Sequence, residues 1–362
     1  MKTQSSFLEV KGVETSPGLV ILGRYVAVDN VCAWPSLTLL PDGTIAAIIY
    51  GHPSHLQGPG DVQCWTSRDG RGLWEFRGTV APHGADSTRG NVAAGLAHNG
   101  DLVVLSGGWA GPPNYRKHRI PPCVSRSADG GKTWTVDESE TAVVFPPEIR
   151  RDDYQRMLVP FGSIVRMTEK KLAASFYDDM GKVFALFSED DGRTWGHAVE
   201  MAGEHGDEIA MLRLRPDRWL AVMRANGGSD PKALLRGLRQ LVSSDEGRTW
   251  IPGDLITQHN EHPGHLLRLA DGRVLLSFGM RNASSVGIRI SPDEGRTWES
   301  PRVLVTMPSW KGLVFDPPYR EHDLGYPSTV QLADRSFVTA WYSIGTEQHT
   351  RYHMGTVLWR MK

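Results

Sequence analysis

The chain has 362 residues with 40 basic against 41 acidic side chains, a net charge near −1. No global field therefore recruits nucleic acid or an anionic membrane, and no apolar run approaches the roughly 18 residues that would span a bilayer. A hydrophobic content of 40% with 12 Trp suits a large, Trp-studded β core.

The segment Met1 to Ser16 carries one early Lys2 and no apolar stretch of signal-peptide type. The expectation is a cytoplasmic protein, or a secreted one if a leader has been removed. Cys32, Cys64 and Cys123 are odd in number and unrelated in spacing, which predicts buried free thiols rather than a disulfide framework or a metal site. From Pro35 onward one pattern recurs: an apolar strand, a tight turn that is often Asp-Gly, and a second apolar strand. It begins near Pro35, Gly90, Pro160, Glu208, Pro263 and Tyr326. Each copy reads as a β-hairpin, and its near-continuous hydrophobicity marks strands packed on both faces.

A second repeat runs out of phase with the first. The pattern Ser-x-Asp-x-Gly-x-x-Trp occupies Ser127 to Trp134, Ser188 to Trp195, Ser243 to Trp250 and Ser291 to Trp298. A worn copy at Ser67 to Trp74 keeps Ser67, Asp69 and Trp74, with glycines at Gly70 and Gly72. Successive serines lie between 48 and 61 residues apart, so a supersecondary unit is repeated. Asp followed two residues later by Gly makes a tight turn: the carboxylate caps backbone N–H groups and the Gly takes φ > 0. The Trp then opens the next strand with a large apolar face.

Six apolar hairpins alternate with five of these turns, which predicts four-stranded antiparallel blades. The sixth outer pair is expected to come from the termini, Met354 to Trp359 with a segment near Leu19 to Val28. The predicted fold is all-β, a six-bladed β-propeller forming a single domain over residues 1–362. In such a ring the first strands begin, and the second strands end, on one face, with the Ser-x-Asp turns on the other. Before the first strands stand Trp34, Arg89, Glu208, His262 with His265, and Tyr326. After the second strands stand His52 with His55, Trp109, Tyr177 to Asp179, Arg224, Arg281 and Tyr342. Convergence of such side chains on a propeller axis predicts a ligand site.

The repeated turn is the Asp-box, and the chain resembles the sialidase (neuraminidase) superfamily of β-propellers. That resemblance implies a Tyr nucleophile activated by a Glu, an exception to the two-carboxylate scheme of most glycosidases. Tyr326, in Gly-Tyr-Pro-Ser, matches the family's Tyr, and Glu208, in Asp-Glu-Ile-Ala, matches its Glu. A phenol titrates near 10 and needs a neighbouring base to attack at neutral pH. Arg224, in Val-Met-Arg-Ala-Asn, and Arg281, in Gly-Met-Arg-Asn, match two of the three arginines that hold the substrate carboxylate. Guanidinium groups suit that task through paired hydrogen bonds.

At the family's first arginine this chain has Ala33-Trp34-Pro35. Arg89 is a candidate replacement, Arg119-Ile120-Pro121 a weaker one, and Trp34 offers a ring to stack on a sugar. The acid/base is expected in the loop from Gly51 to Asp61, with Asp61, His55 and His52 as candidates; a His there would donate or accept the proton. His265 completes the binding set. Glu321-His322-Asp323 is read as rim, orienting the nucleophile or substrate. No cofactor and no metal are expected, since two His-x-x-His pairs in loops are a weak metal signal.

The leading reading is an exo-acting glycoside hydrolase that removes a terminal sialic acid or related acidic sugar, with a carbohydrate substrate and no nucleic-acid or membrane partner. The missing arginine keeps a second reading open: a glycosidase or polysaccharide lyase for a uronic or neutral sugar, using a His/Tyr pair. A third is a carbohydrate-binding propeller without catalysis, which fold analogy alone does not remove.

Overall fold

The computed structural model describes residues 16–362 except 73, 113–116, 148, 150–156, 204, 227–235, 308–322 and 347–348. The chain enters through β1 (Leu19–Asp29) and then lays down antiparallel sheets in succession. The first is β2–β5 (Ser36–Leu39, Ile45–Tyr50, Val62–Ser67, Glu75–Ala81). The second is β6–β9 (Ser87–Leu96, Leu102–Ala110, His118–Ser127, Thr135–Asp137). The third is β10–β13 (Val159–Arg166, Leu172–Tyr177, Val183–Ser188, Gly196–Ala202). The fourth is β14–β17 (Gly206–Arg215, Arg218–Ala225, Leu238–Ser243, Ile251–Leu255). The fifth is β18–β21 (Glu261–Arg268, Val274–Met280, Ser285–Ser291, Arg302–Thr306). The sixth holds β22–β24 (Leu324–Gln331, Phe337–Thr346, His349–Met361).

Strand β1 supplies the outer edge of the sixth blade, pairing antiparallel with β24 from Leu19 opposite Met361 to Asp29 opposite His353. The first-entered strand thus closes the last-made blade, as the terminal segments predicted. The second and third blades also meet through a short parallel pairing of β6 with β10, Gly162 opposite Ala93.

Among the described residues the apolar core falls into six clusters, one at each junction between neighbouring blades. The cluster joining the sixth blade to the first holds Ala340, Tyr342 and Met354 against Trp34, Ile45 and Ile49. Six junctions for six blades make a closed ring. Second strands are sandwiched between neighbours, so β3 and β11 are buried at every position. Outer strands need no such composition, and β9 is exposed throughout. That gradient is why the inner hairpins read as unbroken apolar runs.

Each intact Asp-box folds as its chemistry requires. Ser188 Oγ accepts from the Gly192 N–H and donates to Asp190 Oδ1, both at 2.8 Å. Asp190 in turn accepts from the Arg193 and Thr194 amides and the Thr194 hydroxyl. Two consecutive residues take left-handed backbone, not the glycine alone: Asp191 with Gly192, Glu246 with Gly247, Glu294 with Gly295. Such paired positive φ values are what a tight hairpin turn needs to match strand twist. The indole N–H of Trp134, Trp195 and Trp250 returns to the carbonyl of that glycine. Cys32, Cys64 and Cys123 are buried and form no disulfide among the described residues.

Candidate active site

Five of the six first strands are bulged where they reach the axis. Register breaks fall between Gly90 and Val92, Phe161 and Val165, Gly206 and Ile209, Glu261 and Gly264, and Gly325 and Ser328. A bulge re-aims side chains at the end of a pairing. Four corresponding residues, Trp34, Asn91, Gly162 and Tyr326, have φ of 41°, 52°, 87° and 51°, and all four line a small cavity of about 40 Å³ on the axis. Positive φ at a Trp and a Tyr costs on the order of 1–3 kcal/mol each, and such strain gathers at functional sites. The cavity has room for only a few waters, so a larger ligand would lie above it, on the side chains at its rim.

At that rim the Tyr326 hydroxyl donates to Glu208 Oε1. The other carboxylate oxygen, Oε2, accepts from Arg224 Nη1 at 2.9 Å. Glu208 is buried, with 4% of its surface exposed. Burial pushes its pKa up to about 7, the nearby Asp207 adds to the rise, and Arg224 and Arg281 hold it back. Arg224 feels the reverse: burial alone would lower its pKa, but Glu208 and Asp207 outweigh it and raise it. Asp207 is set by its contacts to the Glu208 amide at 2.8 Å and to Asn226 Nδ2 at 3.1 Å. Sequence reasoning passed over Asp207, which carries no motif signal beyond adjacency to Glu208.

The Arg281 guanidinium lies over the Tyr326 ring at 6.0 Å, at the entrance to a short 3₁₀ turn, Arg281–Ala283. The Nε atoms of both Arg224 and Arg281 are buried with no protein hydrogen-bond partner among the described residues. Unsatisfied guanidinium donors beside a buried pair suit an anionic ligand group.

Trp34, at the place of the family's first arginine, stacks on Tyr50 at 5.3 Å and lies 6.0 Å from Tyr326. His55 meets the Trp34 ring edge-on at 4.8 Å, and its Nδ1 lies 3.3 Å from Asp323 Oδ2. Asp323 is buried and also accepts from the hydroxyls of Tyr342, at 2.5 Å, and Tyr352. Tyr342 is 5.5 Å from Tyr326, ring to ring. Glu321 and His322, read with Asp323 as rim, lie outside the described residues.

Of the other candidates, only His265 reaches the axial cavity. The Arg89 guanidinium, proposed for the place of the missing arginine, is held by the carbonyls of Pro121 (2.8 Å) and Ser106 (3.4 Å) and by Glu138 (2.6 Å). Arg119 is likewise occupied, paired with Asp179 and the Met157 carbonyl and lying over Trp109 and Tyr177. Asp61 accepts from both the amide and the ring Nδ1 of His83, at 2.8 and 2.7 Å. His52 contacts Ser54 Oγ at 2.8 Å and packs by Tyr50; burial first and His83 second lower its pKa. His265 lines the axial cavity, takes the Thr329 amide at 3.4 Å, and is kept neutral by burial, which lowers its pKa to about 4. His262 is driven down to about 2, by burial and then by Arg224 and Arg281.

A ring of six blades tied by Asp-box turns, with these polar groups at the starts of its first strands and the ends of its second strands, defines a six-bladed β-propeller of the sialidase superfamily. Within it, the chain belongs to the BNR repeat-like domain family, whose model matches residues 43–339. A sialidase of Micromonospora viridifaciens is 26% identical over 308 residues, covering 75% of this chain and 45% of that protein. The chain thus spans about half the length of that curated relative. Among solved structures, a protein of unknown function from Dyadobacter fermentans superposes with a TM-score of 0.74 at 20% identity, covering 96% of this chain and all of that one. The Hadza microbial sialidase Hz136 gives 0.64 at 19% identity (90% of this chain, 65% of that one). The Trypanosoma rangeli sialidase gives 0.64 at 16% identity (98% and 59%). At these identities the structural likenesses show the fold alone.

Proposed function

We propose that this chain is an exo-acting, retaining glycoside hydrolase that removes a terminal sialic acid or related acidic sugar. The observation that carries the reading is the half-buried Tyr326–Glu208 hydrogen bond with Arg224 on the second carboxylate oxygen. Tyr326 Oη attacks the anomeric carbon while its proton passes to Glu208, whose pKa near 7 suits a base at neutral pH. A phenol masked until attack is not repelled by a substrate carboxylate, and the guanidinium groups of Arg224 and Arg281 would grip that carboxylate. The departing oxygen takes a proton from the 51–61 loop, where Asp61 and His55 are the candidates.

Hydrolysis of 4-methylumbelliferyl α-sialoside, with Tyr326→Phe as control, tests the reading. Turnover by the wild type that Tyr326→Phe abolishes supports it; no turnover on sialosides sinks it. Trp34 in place of the first arginine favours a second reading, a uronic or neutral sugar stacked on the indole. Turnover of an aryl uronide or hexoside, with the sialoside untouched, would select that reading instead.

A further inference from the structure

We propose that His55 and Asp323 form a proton-transfer dyad for the leaving group, with His55 as the acid/base and Asp323 as its positioning residue. The inference rests on the glycosidase reading above. Asp323 comes from the chain just before β22, three residues ahead of Tyr326, and His55 from the loop that ends the second strand of the first blade. These are the two sides of the junction on which the nucleophile sits.

Asp323 is 5% exposed, and a carboxylate so placed is costly unless its lone pairs are met. Two phenol hydroxyls, Tyr342 and Tyr352, meet them. Burial opposes ionisation, yet His55 and the two tyrosines together hold its pKa down to about 2, so it is an anion at any working pH. His55 Nδ1 is buried with this anion 3.3 Å away, at hydrogen-bond distance but off the axis of a bond. A small turn of the ring makes the bond, and such bonds often tighten only when substrate is present. An anion at Nδ1 fixes the proton there and leaves Nε2 to exchange protons, while stabilising the imidazolium. The His55 side chain keeps 28% of its surface, so the ring is open to solvent on one side while Trp34 packs on another.

The other candidate in the loop is less suited. The Asp61 carboxylate is already engaged by two donors of one residue, the amide and ring Nδ1 of His83, whereas the His55 ring keeps an open side.

In the first step the Tyr326 Oη–carbon bond forms as the glycosidic carbon–oxygen bond breaks. The Tyr326 proton goes to Glu208, and the His55 Nε2 proton goes to the departing oxygen. In the second, water attacks the anomeric carbon and gives its proton to His55. The tyrosine oxygen leaves and takes back its proton from Glu208, so both groups return to their starting states.

Aryl glycosides of the sugar that the wild type cleaves, one with a 2,4-dinitrophenyl and one with a phenyl leaving group, test the dyad. Dinitrophenolate needs no proton to depart; phenolate does. His55→Gln is expected to lose about 10²–10⁴-fold in kcat/KM on the phenyl glycoside and under about tenfold on the dinitrophenyl one. Asp323→Asn is expected to lose in the same sense by a smaller factor, and the double variant to be no worse than His55→Gln. The ratio of the two substrates within one variant is independent of how much of it folds. Equal losses on both substrates, or a leaving-group dependence produced by Asp61→Asn instead, would overturn the dyad and leave the glycosidase reading standing. A wild type that cleaves neither substrate for any sugar would remove both.

Discussion

Tyr326 and Glu208, 118 residues apart in the chain, share a hydrogen bond between the first strand of the sixth blade and the first strand of the fourth. In the proposed mechanism the phenol therefore has its base in place before any substrate arrives. Glu208 is held between that phenol and Arg224, so under that mechanism one oxygen would receive a proton while the other keeps the carboxylate oriented.

Removal of either partner should strike the chemical step. Tyr326→Phe keeps the ring that packs by Trp34 and Phe161 and deletes only the attacking oxygen, so kcat should fall by about 10³-fold or more with KM changed little. Glu208→Gln keeps an acceptor but not a base, and about 10²–10⁴ in kcat should go. Steady-state kinetics on the cleaved glycoside checks both. A Tyr326→Phe enzyme with undiminished kcat would rule out the phenol as nucleophile.

The raised Glu208 pKa gives two pH signatures. Glu208 accepts a proton, so it must be ionised, and kcat/KM should climb as pH rises toward a limb near 7. For stability the sign runs the other way. A folded pKa of about 7 against 4.5 means that the folded state holds this proton more tightly. Its contribution is full below pH 4.5 and is lost as pH rises through 7. That loss is on the order of 3 kcal/mol, and Glu208→Gln should not suffer it. Denaturant unfolding of wild type and variant at pH 5 and pH 8 should show the wild type losing ground; parallel behaviour would exclude a raised Glu208 pKa.

How far the sequence reaches depends on how local the physics is. The Asp-box turn is set within eight residues, by a serine, a carboxylate and a glycine that must take positive φ, so the blade phase was legible. The closing strand was legible because β1 and β24 are apolar segments left over once the hairpins are counted. The bulges at the axis were not, since Trp34 and Tyr326 have no intrinsic preference for left-handed backbone and take it only under tertiary constraint. Nor was the fate of Arg89, settled by Pro121 and by Glu138, 49 residues downstream. Asp323 belonged to a stretch readable as rim, but its two tyrosine donors come from β23 and β24 and leave no local trace.

Arg281 offers a test of what the site holds. Its guanidinium stands over the Tyr326 ring with Nε unbonded among the described residues, and a charge-assisted hydrogen bond is worth about 1.5–3 kcal/mol. Arg281→Ala should raise KM for a carboxylated glycoside by about 10–100-fold, and Arg281→Lys should restore little of it, because an ammonium lacks the planar fork. A neutral glycoside, if cleaved, should be nearly indifferent. Equal damage on charged and neutral substrates would mean that Arg281 supports the fold of the site rather than a carboxylate.

The Asp-box should be separable from catalysis, since its turns join third to fourth strands at the ends remote from Tyr326. In the third blade Ser188 is buried and both its bonds serve the turn. Ser188→Ala leaves the Gly192 amide without its acceptor and should cost about 1–3 kcal/mol. Gly192→Ala should cost at least as much: φ is +83° there, and a Cβ would come within 2.9 Å of Leu172 Cδ1 and 3.2 Å of Val103, so turn strain and overpacking act together. Denaturant melts should register both losses while kcat and KM of the folded enzyme stay within about twofold, as expected for surface-turn changes far from a site. A fall in kcat that tracks the loss of stability would show instead that the third blade transmits strain from its outer turn to the axis.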